Sequence, residues 1–171
     1  MGRRFQELVV EYQHRVFRLA RYSVGSHEEA EDITQEVLIR LWRNLDRIEP
    51  DGLWPWLVRV TRNASIDALR RRGSYRAVVG EDPDGEAAQR ARTASPGPDT
   101  VAEAADFERH LERALSEISE PYRSIVILRE IEQLKYDEIA QALDLRLNTV
   151  KVYLHRGRRM LRQKLKEFAR S

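Results

Sequence analysis

The chain has 171 residues, 42% apolar and 34% charged, with a formal net charge of +2, a composition that fits a soluble globular protein of one or two small domains. It has no cysteine, which excludes a disulfide framework and a thiolate zinc site, and no stretch reaches the roughly 20 apolar residues needed to cross a bilayer. The near-neutral total hides segregation, since 59–76 carries six Arg and one Asp, 81–120 eleven acids against four Arg, and 142–171 nine Lys or Arg against two acids.

Phe5, Leu8, Val9, Tyr12, Val16 and Leu19 recur at helical spacing and predict a first amphipathic helix ending near Gly25. The next helix has a clear start. Ser26 with Glu29 forms a capping-box pattern, Glu28, Glu29, Glu31 and Asp32 lie where a helix N-terminus favours negative charge, and Ala30, Ile33, Val37, Leu38 and Leu41 make its apolar stripe. A turn over 44–53 contains Pro50-Asp51-Gly52, and Pro55 suits the first turn of a third helix reaching Arg71. From Gly73 to about Thr100 the periodicity vanishes. Pro83, Pro96 and Pro98 break any helix there and few apolar side chains are present to bury, which is the composition of a flexible linker. Phe107, Leu111, Leu115 and Ile118 restore helical spacing, and another helix starts around Pro121 with Ile125, Val126 and Leu128. No segment reads as a strand. The expected fold is therefore all-α, with two small helical domains at 1–76 and 106–171 joined by a flexible linker over 77–105.

The last segment is the most informative. Tyr136, Ile139, Ala140 and Leu143 form the stripe of a short helix, 144–147 interrupts it, and Asn148 suits the N-cap of a second helix. In that second helix Val150, Leu154, Gly157, Leu161, Leu165 and Phe168 share one face, while Lys151, His155, Arg156, Arg159 and Arg162 point the other way. This is the layout of a helix-turn-helix, in which the first helix braces the second against the major groove of DNA. A hairpin kept merely soluble mixes its charges, whereas a one-signed face is the footprint of a phosphate-binding surface. His14, His27, His110 and His155 are scattered, and neither a Gly-rich phosphate loop nor a nucleophile elbow is present. No catalytic residue, metal site or cofactor is assigned, and the chain is not expected to be an enzyme.

Two sets of motifs carry a resemblance. Ala30-Glu31-Asp32-Ile33-Thr34-Gln35-Glu36-Val37, Leu41-Trp42, Pro55-Trp56-Leu57, Arg62-Asn63 with Asp67, and Arg70-Arg71-Arg72 resemble region 2 of the extracytoplasmic-function sigma factors of the sigma-70 family. Pro121-Tyr122-Arg123, Leu128-Arg129-Glu130, Glu138-Ile139-Ala140, Thr149-Val150-Lys151 and Arg156 with Arg158 resemble region 4 of the same family. Together they span roughly residues 5–76 and 106–168.

The resemblance implies a cytoplasmic bacterial transcription initiation factor whose partners are core RNA polymerase, promoter DNA and an anti-sigma factor, with no insertion into a membrane. It implies polymerase docking through Asp32, Gln35 and Glu36. It places minus-ten recognition on a loop over 48–56 and the helix after it, with Trp54 as the stacking aromatic and Arg59, Arg62, Asn63, Arg70 and Arg71 beside the opened strand. Stacking on unpaired bases and neutralising phosphates suit aromatic and basic side chains. Trp42 and Trp56 are read as core at their helical positions. In region 4 it places Arg146, Asn148 and Thr149 near phosphates, and Lys151, Val152, His155, Arg156 and Arg159 on the face that reads the minus-thirty-five element. Asp144, Asn148 and Val152 stand where relatives often carry Gly, Gly and Ser, which bears on promoter preference. The alternative is a stand-alone helix-turn-helix regulator that binds duplex DNA without a polymerase.

Overall fold

The computed structural model describes residues 2–73 and 101–170, and none of these forms a β-strand. Helix α1, Gly2–Val24, stops at Gly25, whose φ of +70° suits a residue without a Cβ and whose N–H bonds the Arg21 carbonyl at 2.8 Å. Ser26 then starts α2, His27–Asn44, by accepting a 3.3 Å bond from the Glu29 N–H. Two short 3₁₀ turns, Leu45–Arg47 and Pro50–Gly52, lead into α3, Leu53–Arg71. Val16, Leu19, Ile33, Val37, Leu41, Leu57 and Val58 are buried where α1, α2 and α3 meet. Thr61 and Ser65 are buried there too, and their hydroxyls bond the carbonyls one turn back at 2.7 and 2.8 Å, so neither hydroxyl is left unmatched.

The second unit holds α4, Val101–Ser116, and α5, Tyr122–Val126, which runs into a π-helical turn over Ile127–Ile131. It continues with α6, Tyr136–Leu143, and α7, Leu147–Ala169. Gly157 lets α7 lie against the backbone of α5, because a Cβ there would fall 2.5 Å from Cγ2 of Val126 and 3.2 Å from the Tyr122 carbonyl. Arg123 is 1% exposed and donates to the carbonyls of Ile118 at 2.9 Å, Ser116 at 3.2 Å and Ser23 of α1 at 3.0 Å. Its charge is thereby matched by three carbonyl dipoles, two of them at helix ends. One apolar core runs across both units, from Val16 and Leu19 to Leu115, Ile118, Ile125 and Ile139.

Two boundaries differ from the sequence expectation. Helix α4 starts at Val101, five residues before Asp106, although Val101 is 89% exposed; its first turn buries nothing, so no apolar period announces it. Most of the expected linker, 74–100, lies outside the described residues. Asn148 is the second residue of α7 rather than its N-cap, a position held by Arg146. The turn closes early because Asp144 takes a left-handed conformation (φ 53°, ψ 51°) and bonds the Ala140 carbonyl, as a short polar side chain allows.

Candidate nucleic-acid interface

On the outer side of α2, Asp32, Gln35 and Glu36 border one hollow of about 450 Å³ together with Ile39 and Arg43. Glu36 is held by Arg40 one turn on, at 2.5 Å. Ile39 is 52% exposed and Trp42 43% exposed, the latter resting edge-on against Phe5 with centroids 4.9 Å apart. Trp42 is therefore a surface residue and not the core residue expected. The face combines acids with apolar side chains, a mixture that meets a basic partner with an apolar anchor.

The aromatic expectation in α3 is also corrected. Trp54 is 9% exposed, stacked on Tyr12 at 5.7 Å, with the Arg15 guanidinium 3.7 Å above its ring. Helix α3 already begins at Leu53, so Trp54 is helical and turned toward α1, while Trp56, about 200° further round the helix, faces the other way. Trp56 lines a cavity of about 300 Å³ with Ile48, Pro55 and Arg59, whose far wall is Gln141 of α6. The rotation between the two tryptophans follows from helix geometry alone; deciding which of them faces out needed the helix start.

Arg59 donates to the Gln141 carbonyl at 3.1 Å and the Ala142 carbonyl at 3.3 Å, at the C-terminal end of α6. Arg62 donates to the Ser124 hydroxyl at 3.0 Å and lies 3.7 Å from the Glu120 carboxylate, which in turn accepts from Ser124 at 2.5 Å. Asn63, Asp67, Arg70 and Arg71 are exposed along the same helix. Arg72, quoted in the motif but given no site role from the sequence, ties α3 back to the α1–α2 corner through Glu29 at 2.7 Å and the Val24 carbonyl at 2.9 Å.

In α7 the sequence pattern is matched by burial. Val150, Leu154 and Gly157 are buried, whereas Asn148, Lys151, Val152, His155 and Arg159 are exposed, and Thr149 and Arg156 are half-buried at the flanks. Arg146 is exposed at the N-cap. Arg158 sits to one side and pairs with Glu130. The result is a convex basic ridge with one apolar side chain, Val152, in its middle, a shape that suits a DNA groove better than a small molecule. Among the described residues no set of His, Cys, Asp or Glu side chains converges as a metal site.

The sigma-70 region 2 model matches residues 8–75 and the sigma-70 region 4 model residues 108–161. The ECF RNA polymerase sigma factor SigE of Mycolicibacterium smegmatis is 36% identical over 162 residues, which are 94% of this chain. The chain belongs to the extracytoplasmic-function sigma factors of the sigma-70 family. It spans 61% of the length of that mycobacterial sigma factor. Against SigW of Bacillus subtilis it is 27% identical over 167 residues, covering 95% of this chain and 89% of the relative. The same fold is seen in CnrH bound to the cytosolic domain of CnrY, with a TM-score of 0.71 at 21% identity over 98% of this chain and 90% of that one. It is seen again in the sigma factor RpoE of Bartonella quintana bound to the anti-sigma factor NepR, with a TM-score of 0.69 at 22% identity over 95% and 96% of the two chains. The region 2 match thus covers most of α1 and all of α2 and α3, the region 4 match runs from within α4 into α7, and no described helix is long and apolar enough to cross a membrane.

Proposed function

We propose that this sigma factor joins core RNA polymerase in the cytoplasm and directs it to promoters by contacting a minus-ten and a minus-thirty-five element, with the polymerase supplying all catalysis. The observation that carries the reading is the outward basic face of α7, carried in one chain with an acidic and apolar face on α2. Residues 1–76 act as the minus-ten unit, 106–171 as the minus-thirty-five unit, and 77–105 as the tether. Asp32, Gln35 and Glu36, with Ile39 beside them, dock on the polymerase. Arg59, Arg62, Asn63, Arg70 and Arg71 follow the opened strand, and Trp56 takes the stacking role first given to Trp54. Lys151, Val152, His155, Arg156 and Arg159 read the upstream duplex while Arg146, Asn148 and Thr149 hold phosphates. An anti-sigma factor controls the chain, a reading supported by the fold shared with a sigma factor captured in complex with the anti-sigma factor NepR and with CnrH in complex with CnrY.

The test is transcription in vitro with core polymerase over a library of promoter fragments. The expected result is initiation at a defined promoter set only when chain and core are both present, reduced at least tenfold by the charge reversals Asp32→Arg and Glu36→Arg with helicity unchanged. Tight operator-like binding of duplex DNA by the chain alone, with no core-dependent transcription, overturns the proposal in favour of a stand-alone regulator.

A further inference from the structure

The outer face of α7 is polar except at its centre. Counted round the helix, Asn148, Val152, His155 and Arg159 fall within about 60° of one another, and all four are exposed. The buried Val150, Leu154 and Gly157 lie on the opposite side. Val152 is 45% exposed in the middle of this line, with Asn148 about 6 Å above it along the axis and Arg159 about 10 Å below. Leu147, the other large apolar residue exposed on α7, lies about 110° off the line and looks along its flank.

The basic neighbours attract phosphate whatever the sequence. Val152 has nothing to offer a phosphate, because its side chain neither donates nor accepts, and its contribution is confined to the base it touches. In a helix its χ1 is held to one strongly preferred well, so little freedom is lost when it makes a contact. The major groove presents one apolar group to such a side chain, the C5 methyl of thymine. Cytosine carries a hydrogen at C5, and a methyl group placed there, as in 5-methylcytosine, stands at the same point on the groove edge.

We propose that Val152 reads the C5 methyl group of a pyrimidine at one position of the upstream element, so that the chain distinguishes thymine from uracil and 5-methylcytosine from cytosine there. The inference rests on the assignment of α7 to the upstream duplex and adds what the centre of that face selects. Methylation of a promoter cytosine at this position strengthens binding by the same contact that favours thymine. Burying one methyl-sized group is worth about fourfold in affinity.

The test uses the holoenzyme assembled from the chain and core polymerase. A duplex pool randomised in the upstream element is selected for binding, and each thymine of the preferred sequence, on either strand, is replaced singly by uracil. That exchange removes the methyl group and keeps every hydrogen-bonding atom of the base. One replacement is expected to weaken binding about fourfold and to have no effect on holoenzyme carrying Val152→Ser, a change at an exposed position outside the core. At the same position 5-methylcytosine is expected to bind about fourfold tighter than cytosine. The thymine-to-uracil ratio is expected to stay constant as salt is raised, since a methyl contact releases no counterion. A preferred sequence in which no uracil replacement weakens binding, or in which the response persists in Val152→Ser, overturns the inference and leaves α7 on the duplex. A pool that yields no preferred upstream sequence overturns the assignment of α7 and the inference with it.

Discussion

Helices α3 and α7 both carry a run of arginines, yet they spend them differently. On α3, Arg59 and Arg62 turn toward the other unit and end on its carbonyls and its Ser124–Glu120 pair. On α7, Lys151, His155 and Arg159 point away from the body of the protein. Charge alone does not make the difference, since both segments are strongly basic. The acceptors do. The C-terminal end of α6 presents carbonyls left without intrahelical donors, and it lies over α3, whereas Lys151, His155 and Arg159 of α7 are exposed. A basic run in a sequence marks affinity for negative charge, and the fold decides whether that charge comes from another molecule or from the chain itself.

Arg123 is the point at which the contrast can be broken most severely, because it is a region 4 cation used inward and across the junction. Arg123→Ala leaves three buried carbonyls without their donor and a large void, so it is expected to cost about 3 kcal/mol or more and to lower the midpoint of urea unfolding correspondingly; a midpoint within error of the parent refutes the role given to this residue. The contrast is sharpened by comparing Arg62→Ala with Arg159→Ala. Removing Arg62 leaves the Glu120 carboxylate, 4% exposed as a residue, without its cation, and is expected to destabilise the chain by about 1–2 kcal/mol. Removing Arg159 should leave the melting temperature unchanged and reduce the salt slope of promoter binding by the holoenzyme by roughly one unit. If the two effects are exchanged, the inward and outward uses have been assigned to the wrong helices.

The smallest effect is expected at Glu112, which meets Arg21 of α1 at 3.1 Å. Burial raises its pKa, and Arg21 lowers it less than burial raises it, so the fold favours the neutral carboxyl. Glu112→Gln is accordingly expected to change stability by no more than about 0.5 kcal/mol. The direction with pH follows: at this residue folding gains as pH falls through the carboxylate range and loses as pH rises, opposite to a carboxylate held by its ion pair. A clear loss of stability for Glu112→Gln at pH 7, measured by thermal unfolding, sinks this assignment.

The helices were legible because their apolar stripes and caps are local, from Ser26 over Glu29 to the burial pattern of Val150, Leu154 and Gly157. The interface was only half legible. Exposed polar positions on α2 and α7 follow from the same periodicity that defines the core, so Asp32, Gln35, Lys151, Val152 and His155 lie where the sequence put them. Trp54 is buried where the sequence reading left it open to a base, because its facing depends on which residue begins α3, and helix starts are poorly fixed by sequence when the N-cap is a glycine without a side-chain bond. The engagement of Arg59 by Ala142 had no sequence signal at all, since main-chain carbonyls look alike in every residue and the partners are 83 positions apart.

Helix α7 is a rod of 23 residues, about 35 Å long, and at Gly157 it lies close against the backbone of α5. That makes Gly157 a fulcrum, roughly 15 Å from the tip that holds Asn148 and Thr149. Lifting the rod by about 1 Å at the fulcrum, as a methyl group there would do, tilts the tip by roughly 4° and moves every side chain on the ridge with it. The aim of the basic ridge is thus set partly by a residue that faces inward and has no side chain.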